Sequence, residues 1–313
     1  MLFQLGVRSM YRKKHCCLLD TSKRGISIIL AVFFLSVAAT GSEAQVFTDD
    51  GTPISPETPQ LREKLRYQNN ENAEDTTWSH ELSHSLDPIN ELRLEVPLRR
   101  REVQFTDAGG VEHSETLAGP GDVSLQWQHS LRQTDWVMGS NRLAVHLRLE
   151  APTGNEDQST KGITLPRRLQ LGQGDWSTTV GGVWARVEDR QRVAVQGEVT
   201  HNTRHDGIRM GEEADLNLAY WYRLHPAQFS SIEEQVEVRG VFELLSTYRF
   251  PSRRGDTELE DDGFYVRVAP GLQFYASPTV QLETAVQVPL YNKIEDVLGD
   301  RNYAVQLNVK VLF

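Results

Sequence analysis

Hydrophobic and polar positions alternate along this chain with a period of two, most cleanly at its end. Tyr303, Val305, Leu307, Val309, Val311 and Phe313 fall on one face of an extended strand; Ala304, Gln306, Asn308 and Lys310 fall on the other, with Leu312 the one break. Successive strand side chains point to opposite faces. A tilted strand of about 9–11 residues crosses a bilayer with one face on lipid and the other on a polar lumen. A soluble sandwich edge would alternate too, but over a shorter run and with no reason to end on Phe.

The same period runs back through the chain. Segments 76–86, 91–103, 123–131, 142–150, 175–187, 192–202, 215–224, 234–244, 263–276 and 280–290 each set Leu, Val or aromatic residues against polar ones. In 175–187 either phase fits. In 61–69, Leu61, Lys64 and Tyr67 do not alternate, and this strand is placed by counting: bacterial single-chain barrels have an even strand number. Links 87–90, 133–140, 188–191, 225–233 and 277–278 are short, whereas 106–120, 153–174, 203–213, 249–262 and 291–300 are longer and polar. Short and long links alternating by side are the pattern of periplasmic turns and outer loops. The expected fold is all-β, an up-and-down transmembrane antiparallel β-barrel of 12 strands over residues 61–313. Pro97, Pro152 and Pro289 fall on the inward phase near outer strand ends, where each is expected to mark the end of regular pairing.

Arg12, Lys13, Lys14, Lys23 and Arg24 precede an apolar run from Ile26 to Ala39, and Ser42-Glu43-Ala44 supplies small residues at the positions a signal peptidase reads. Residues 1–44 are therefore expected to be a cleaved export signal, with Met1 or Met10 as the start. Residues 45–60, with three Thr-Pro or Ser-Pro pairs, read as an irregular periplasmic lead-in. Both cysteines, Cys16 and Cys17, lie in the signal, so disulfides and thiolate chemistry are excluded from the mature chain. The formal net charge of −10, more negative once the basic signal is removed, argues against a nucleic-acid partner. These features place the protein in the outer membrane of a Gram-negative cell.

The inward phase carries alternating charges. Glu91, Arg93, Glu95 and Arg99, then Arg142, Arg148 and Glu150, then Glu237, Arg239 and Glu243, with Arg267 and Lys310, are the candidate lumen-facing residues. They are expected to form an ion-paired, hydrated wall, either of a narrow channel or of a closed interior whose charges satisfy one another. Tyr303, Val305, Leu307, Val309, Val311 and Phe313 are the candidate assembly signal, read by the barrel-assembly machinery, with outer-membrane lipids as the other partner.

A hydrolase would need a serine beside a histidine base. His84-Ser85 and His129-Ser130 put the two groups on opposite strand faces, and His201 and His205 have no serine near them in sequence. No metal-ligand spacing, calcium loop or phosphate-cradling glycine loop occurs, so neither enzymatic activity nor a cofactor is expected. Of the other functions weighed, a structural or surface-interaction barrel with a closed lumen ranks above an outer-membrane lipid hydrolase.

Four features in order are the Asn90-Glu91-Leu92-Arg93-Leu94-Glu95-Val96-Pro97-Leu98 strand, Gly119-Pro120-Gly121-Asp122, the strand end Leu149-Glu150-Ala151-Pro152-Thr153-Gly154 and the Phe-terminated last strand. In these the chain resembles the outer-membrane transporter-like family named for the meta-pathway of phenol degradation. The resemblance implies a barrel passing small solutes, aromatic or hydrophobic compounds among them, with no catalytic residues to carry over. The basic extension before the signal and the charged inward wall depart from that pattern.

Overall fold

The computed structural model describes residues 47–48, 59–106, 112–160, 163–228, 236–294 and 298–313. The expected signal at 1–44 and most of the lead-in at 45–60 lie outside them. The strands are β1 (Gln60–Asn70), β2 (Ala73–Asp87), β3 (Asn90–Thr106), β4 (Glu112–Pro120), β5 (Val123–Trp136), β6 (Gly139–Ala151), β7 (Ser177–Glu188), β8 (Gln191–Asn202), β9 (Glu213–His225), β10 (Glu237–Arg249), β11 (Gly263–Ser277), β12 (Val280–Ile294) and β13 (Arg301–Leu312). All except β4 form one antiparallel cylinder, each pairing with its neighbours in sequence. β1 pairs with β13 in register from Gln60–Leu312 to Asn69–Tyr303, and this seam closes the barrel. The architecture is the expected 12-stranded closed antiparallel barrel.

The outer surface is the apolar half of the alternation. Leu82, Leu94, Leu125, Leu147, Val180, Leu218, Phe242, Leu272, Val288 and Leu307 are all exposed, as are Trp78, Trp127, Trp184, Tyr220, Tyr248 and Tyr303. Such a band has no place on a water-soluble protein but is what a barrel presents to hydrocarbon. An acid breaks the outer row of β1: Glu63 accepts from Trp78 Nε1 at 2.7 Å and lies 2.9 Å from His80 Nδ1. It sits three residues from the start of β1, close to the end of the cylinder, where a lipid-facing charge costs least.

The strand inferred at 61–69 is present, and β1 places Arg62, Lys64, Arg66 and Gln68 inward; charge, rather than hydrophobicity, carries its period. The strand at 175–187 takes the phase with Val180, Gly182 and Trp184 outward. The β1–β2 link is only residues 71–72, although it lies at the same end as the long loops. Residues 106–120 are not simply a loop: β4 pairs with the outer half of β3, from Leu98–Pro120 to Thr106–Glu112. One face of β4 is exposed and the other only half-buried, and Leu117 alone of its side chains packs on the buried cluster around Val103 and Leu169, so its sequence carries no apolar row. The outer loops also hold short ladders, one joining Ile208–Arg209 to Arg253–Arg254.

The prolines fall where pairing changes. The β3–β5 ladder covers Asn90 to Glu95 and stops before Pro97. The β12–β13 ladder ends at Gln287, two residues before Pro289. β6 ends at Ala151, next to Pro152. A residue without an N–H cannot donate to a ladder on the side its nitrogen faces, whereas on the other side the β2–β3 ladder runs on past Pro97 and the β11–β12 ladder past Pro289.

Candidate functional site: the barrel lumen

Inward side chains divide the lumen into three zones. At mid-height, β1, β2 and β3 contribute a network of alternating charges. Lys64 Nζ lies 2.5 Å from Glu81 and 3.0 Å from Glu95, and Arg62 lies 3.4 Å from Glu81. On the same wall Arg93 pairs with the buried Glu91 at 2.5 Å and donates to Gln128 at 3.3 Å. Opposite, His146 lies 2.8 Å from Glu198. Arg62, Lys64, Glu81, Arg93, Glu95 and Glu198 bound a cavity of about 160 Å³ that Phe47, Arg148, Gln196 and Asn217 also line. Burying so many charges is tolerable only because each acquires partners.

Toward the outer end, a vestibule of about 260 Å³ lies between Arg99, Arg148, Arg168 and Arg249 on one hand and Glu150, Glu213 and Asp215 on the other. Its cover is the loop between β6 and β7. Arg99 Nη1 donates to the carbonyl of Leu171 at 3.0 Å, and Arg101 Nη1 donates to those of Arg168 and Gln170 at 2.7 and 2.8 Å. Asp122 anchors the same loop, taking the N–H of Gly154 at 2.8 Å and that of Gln173 at 2.6 Å. Gly154 and Gly172 meet so closely there that a Cβ on Gly172 would lie 2.7 Å from the Gly154 backbone. In this loop burial pushes the Asp175 carboxyl up to about 6, against the pull of Arg167 at 3.8 Å.

Toward the other end the wall is apolar: Ala144, Val183, Ala185, Ala194, Ala219, Trp221, Val241 and Ala285 form one buried cluster, and Phe47 packs against it. Phe47 and the buried Thr48 are tied there by their backbone N–H groups, which donate to Glu243 Oε1 at 3.2 and 2.8 Å. A piece of the lead-in thus occupies the lumen. The charged wall foreseen from the sequence is therefore only part of the lining.

The sequence-derived candidates are distributed through these zones. Glu91, Arg93 and Glu95 belong to the mid-height network, and Arg148 borders both cavities. Arg99 and Glu150 line the vestibule. Glu243 holds the lead-in, and Lys310 is buried on the inner face of β13. Glu237 pairs with Arg239 at 2.6 Å, and Arg239 lies over the Tyr275 ring at 4.7 Å. Arg142, near the start of β6, lies 3.4 Å from Asp135 and faces neither cavity. Arg267 lies over Tyr265 at 4.6 Å. In β13, Tyr303, Leu307 and Phe313 are exposed in one phase with Val305, Val309 and Val311, while Ala304, Gln306, Asn308, Lys310 and Leu312 are buried.

Sequence reasoning missed Arg62, Lys64 and Arg66, cations that recur at every second residue of β1, and Glu81 of β2. It also missed Arg301, which adjoins a stretch read as loop, and Phe47, which no strand pattern marks. The Ser-His pairs are split as expected: Ser85 and Ser130 are buried on the inner face, and His84 is exposed on the outer one. Among the described residues no group of three or more His, Cys, Asp or Glu is placed to hold a metal ion.

A closed cylinder, lipid-facing outside and lined by paired charges within, defines a transmembrane β-barrel of the outer-membrane type. No family model matches the sequence, and no curated protein does. Among solved structures, the fold is similar to that of an outer membrane channel from Pseudomonas putida F1, with a TM-score of 0.66 at 14% identity, over 86% of this chain and 100% of that one. Looser likenesses are to the KdgM porin (TM-score 0.40, 10% identity, 81% of this chain and 99% of that one) and to LpxR from Salmonella typhimurium (0.45, 9%, 81% and 100%). At these identities the likeness is one of fold.

Proposed function

We propose that this barrel is an outer-membrane channel or transporter for small solutes, aromatic or hydrophobic compounds among them. One observation carries the reading: a charged vestibule and a buried apolar patch succeed each other along one lumen. A solute with a polar end and an apolar body finds complementary surface at successive heights. Phe47, seated on the apolar patch, occupies space such a body would need, so the lead-in acts as a constriction. The sequence resemblance to the phenol meta-pathway family supports the same solute class, and the fold likeness to an outer-membrane channel supports passage. The outward row ending at Phe313 is proposed to be what the assembly machinery reads, with the outer-membrane lipids around it.

Reconstitution into planar bilayers tests the reading. Stable unitary conductance steps, with faster entry of small aromatic solutes into proteoliposomes than into empty vesicles, are expected. A folded barrel that stays electrically silent and admits no solute would favour a second reading, a closed structural barrel. The tie between Glu243 and the lead-in is the observation on that side.

A further inference from the structure

Most lumen cations have a carboxylate within reach: Lys64 has Glu81 and Glu95, Arg93 has Glu91, Arg101 has Asp75 and Arg249 has Glu213. Arg99 and Arg148 reach neutral acceptors instead, the Leu171 carbonyl and the Thr179 hydroxyl, but only in one place do three such cations meet. Arg66 on β1, Arg267 on β11 and Arg301 at the start of β13 gather around Tyr265. Two guanidinium groups lie against its ring, Arg267 at 4.6 Å and Arg301 at 4.7 Å, and Arg301 Nη1 donates to the phenol oxygen at 3.3 Å. Arg267 and Arg66 share one acceptor, Gln287 Oε1, at 3.0 and 3.5 Å, and Arg66 also donates to Gln68 at 3.0 Å.

Every one of these acceptors is neutral. Among the described residues, no carboxylate lies within ion-pair distance of any of the three cations. The acids that face them are engaged elsewhere: Asp75 with Arg101, Glu213 with Arg249, and Asp215 with the Thr247 hydroxyl. The Nε atoms of Arg66 and Arg267 are buried and lack an acceptor. Three like charges are thus held together with hydrogen-bonding capacity unused.

We propose that this cluster is an oxyanion-binding subsite, taking the terminal carboxylate or phosphate of a small solute. Guanidinium groups present planar donor forks that match both groups, and an anion would relieve the mutual repulsion of the three cations. Beside Arg267, Gln287 and Arg301, and lined as well by Pro289, Tyr303 and Ala304, is about 10 Å³ of free space, roughly that of one water. The inference rests on the lumen being a solute path, and it narrows the solute class to anions.

The test is binding, separate from transport. 4-Fluorobenzoate and inorganic phosphate are titrated separately into the detergent-folded barrel, followed by ¹⁹F and ³¹P line broadening, with 4-fluorobenzyl alcohol as the uncharged comparison. Saturable binding of at least one anion, absent for the alcohol, is expected, and which anion binds identifies the group taken. Arg267→Gln, and independently Arg301→Gln, should weaken it about tenfold or more, the scale of one charge-assisted hydrogen bond, while Arg142→Gln leaves it unchanged. Retained heat-modifiable gel mobility confirms that each variant is closed. Binding of neither anion, or equal binding by wild type and the Arg267 and Arg301 variants, overturns the proposal. A conducting barrel that binds no anion overturns the subsite alone, whereas a silent barrel that still binds overturns the path and supports the subsite.

Discussion

Asp122 is the point at which the outer cover can be loosened without touching the barrel. Its two carboxylate oxygens take two backbone N–H groups from opposite ends of the β6–β7 loop, Gly154 at 2.8 Å and Gln173 at 2.6 Å, and the residue is 4% exposed. Asp122→Ala leaves both donors without an acceptor in a site water hardly reaches. A hydrogen bond to a charged group contributes about 1.5–3 kcal/mol, so losing two costs about 3–6 kcal/mol of local order. Part returns as the loop relaxes and the amides find water. Asp122→Asn keeps one acceptor and turns an amide donor on the other N–H, so it should fall between. Hydrogen exchange of peptides covering 153–176, measured on the folded barrel, reads the effect directly. With about 1.4 kcal/mol per factor of ten, protection of the Gly154 and Gln173 amides should drop by roughly two to four orders of magnitude in the alanine variant, while the central β6 and β7 amides keep theirs. Unchanged loop protection in a folded Asp122→Ala barrel would refute the assignment of Asp122 as the anchor.

The lead-in, the loop carboxyl and the terminal aromatic give three more tests. Glu243→Ala removes the acceptor shared by Phe47 and Thr48, and larger single-channel conductance is expected; identical steps would show that this tie does not constrict the path. Asp175 has a raised carboxyl, about 6 against an ordinary 3.8, so its ionisation opposes loop order. The cost is absent below about pH 4, grows as pH rises to 6 and is constant above that, reaching at most about 3 kcal/mol. Protease digestion of the outer loop should accordingly be faster at pH 7.5 than at pH 4.5 after correction for protease activity, and Asp175→Asn should flatten the difference; a wild-type loop more resistant at the higher pH would contradict this sign. Deleting Phe313 should lower the yield of folded barrel in cells while leaving detergent refolding intact. Equal yields in cells would separate the terminal aromatic from assembly.

The barrel was legible in the sequence because its outer face must be apolar at every second position. Leu92, Leu94 and Val96, or Val305, Leu307 and Val309, can be read without any partner strand. The inner face obeys no such rule. Arg62, Lys64 and Arg66 make β1 a strand as regular as the others, but a reading keyed to hydrophobicity passes over alternating cations. β4 stayed hidden because it stands beyond the apolar band and needs no greasy side. Ala144, Ala194 and Trp221 share the inward phase with polar neighbours such as Arg142, Gln196 and Asp215, and only the curvature of the wall brings them together as an apolar patch. The three arginines around Tyr265 come from β1, β11 and β13, which no local pattern links; a count of cations per strand against nearby acids is the signal that flags them.

The seam between β1 and β13 has a consequence for how the molecule is made. Gln60 meets Leu312 and Leu65 meets Leu307, so the hairpin synthesised first waits for the strand synthesised last. Until then the growing sheet has two raw margins, each a template for pairing with another copy, and its ring-closing contacts are the slowest kind to find. Ring closure removes both margins in one step, so any shielding they need is needed only until β1 and β13 meet.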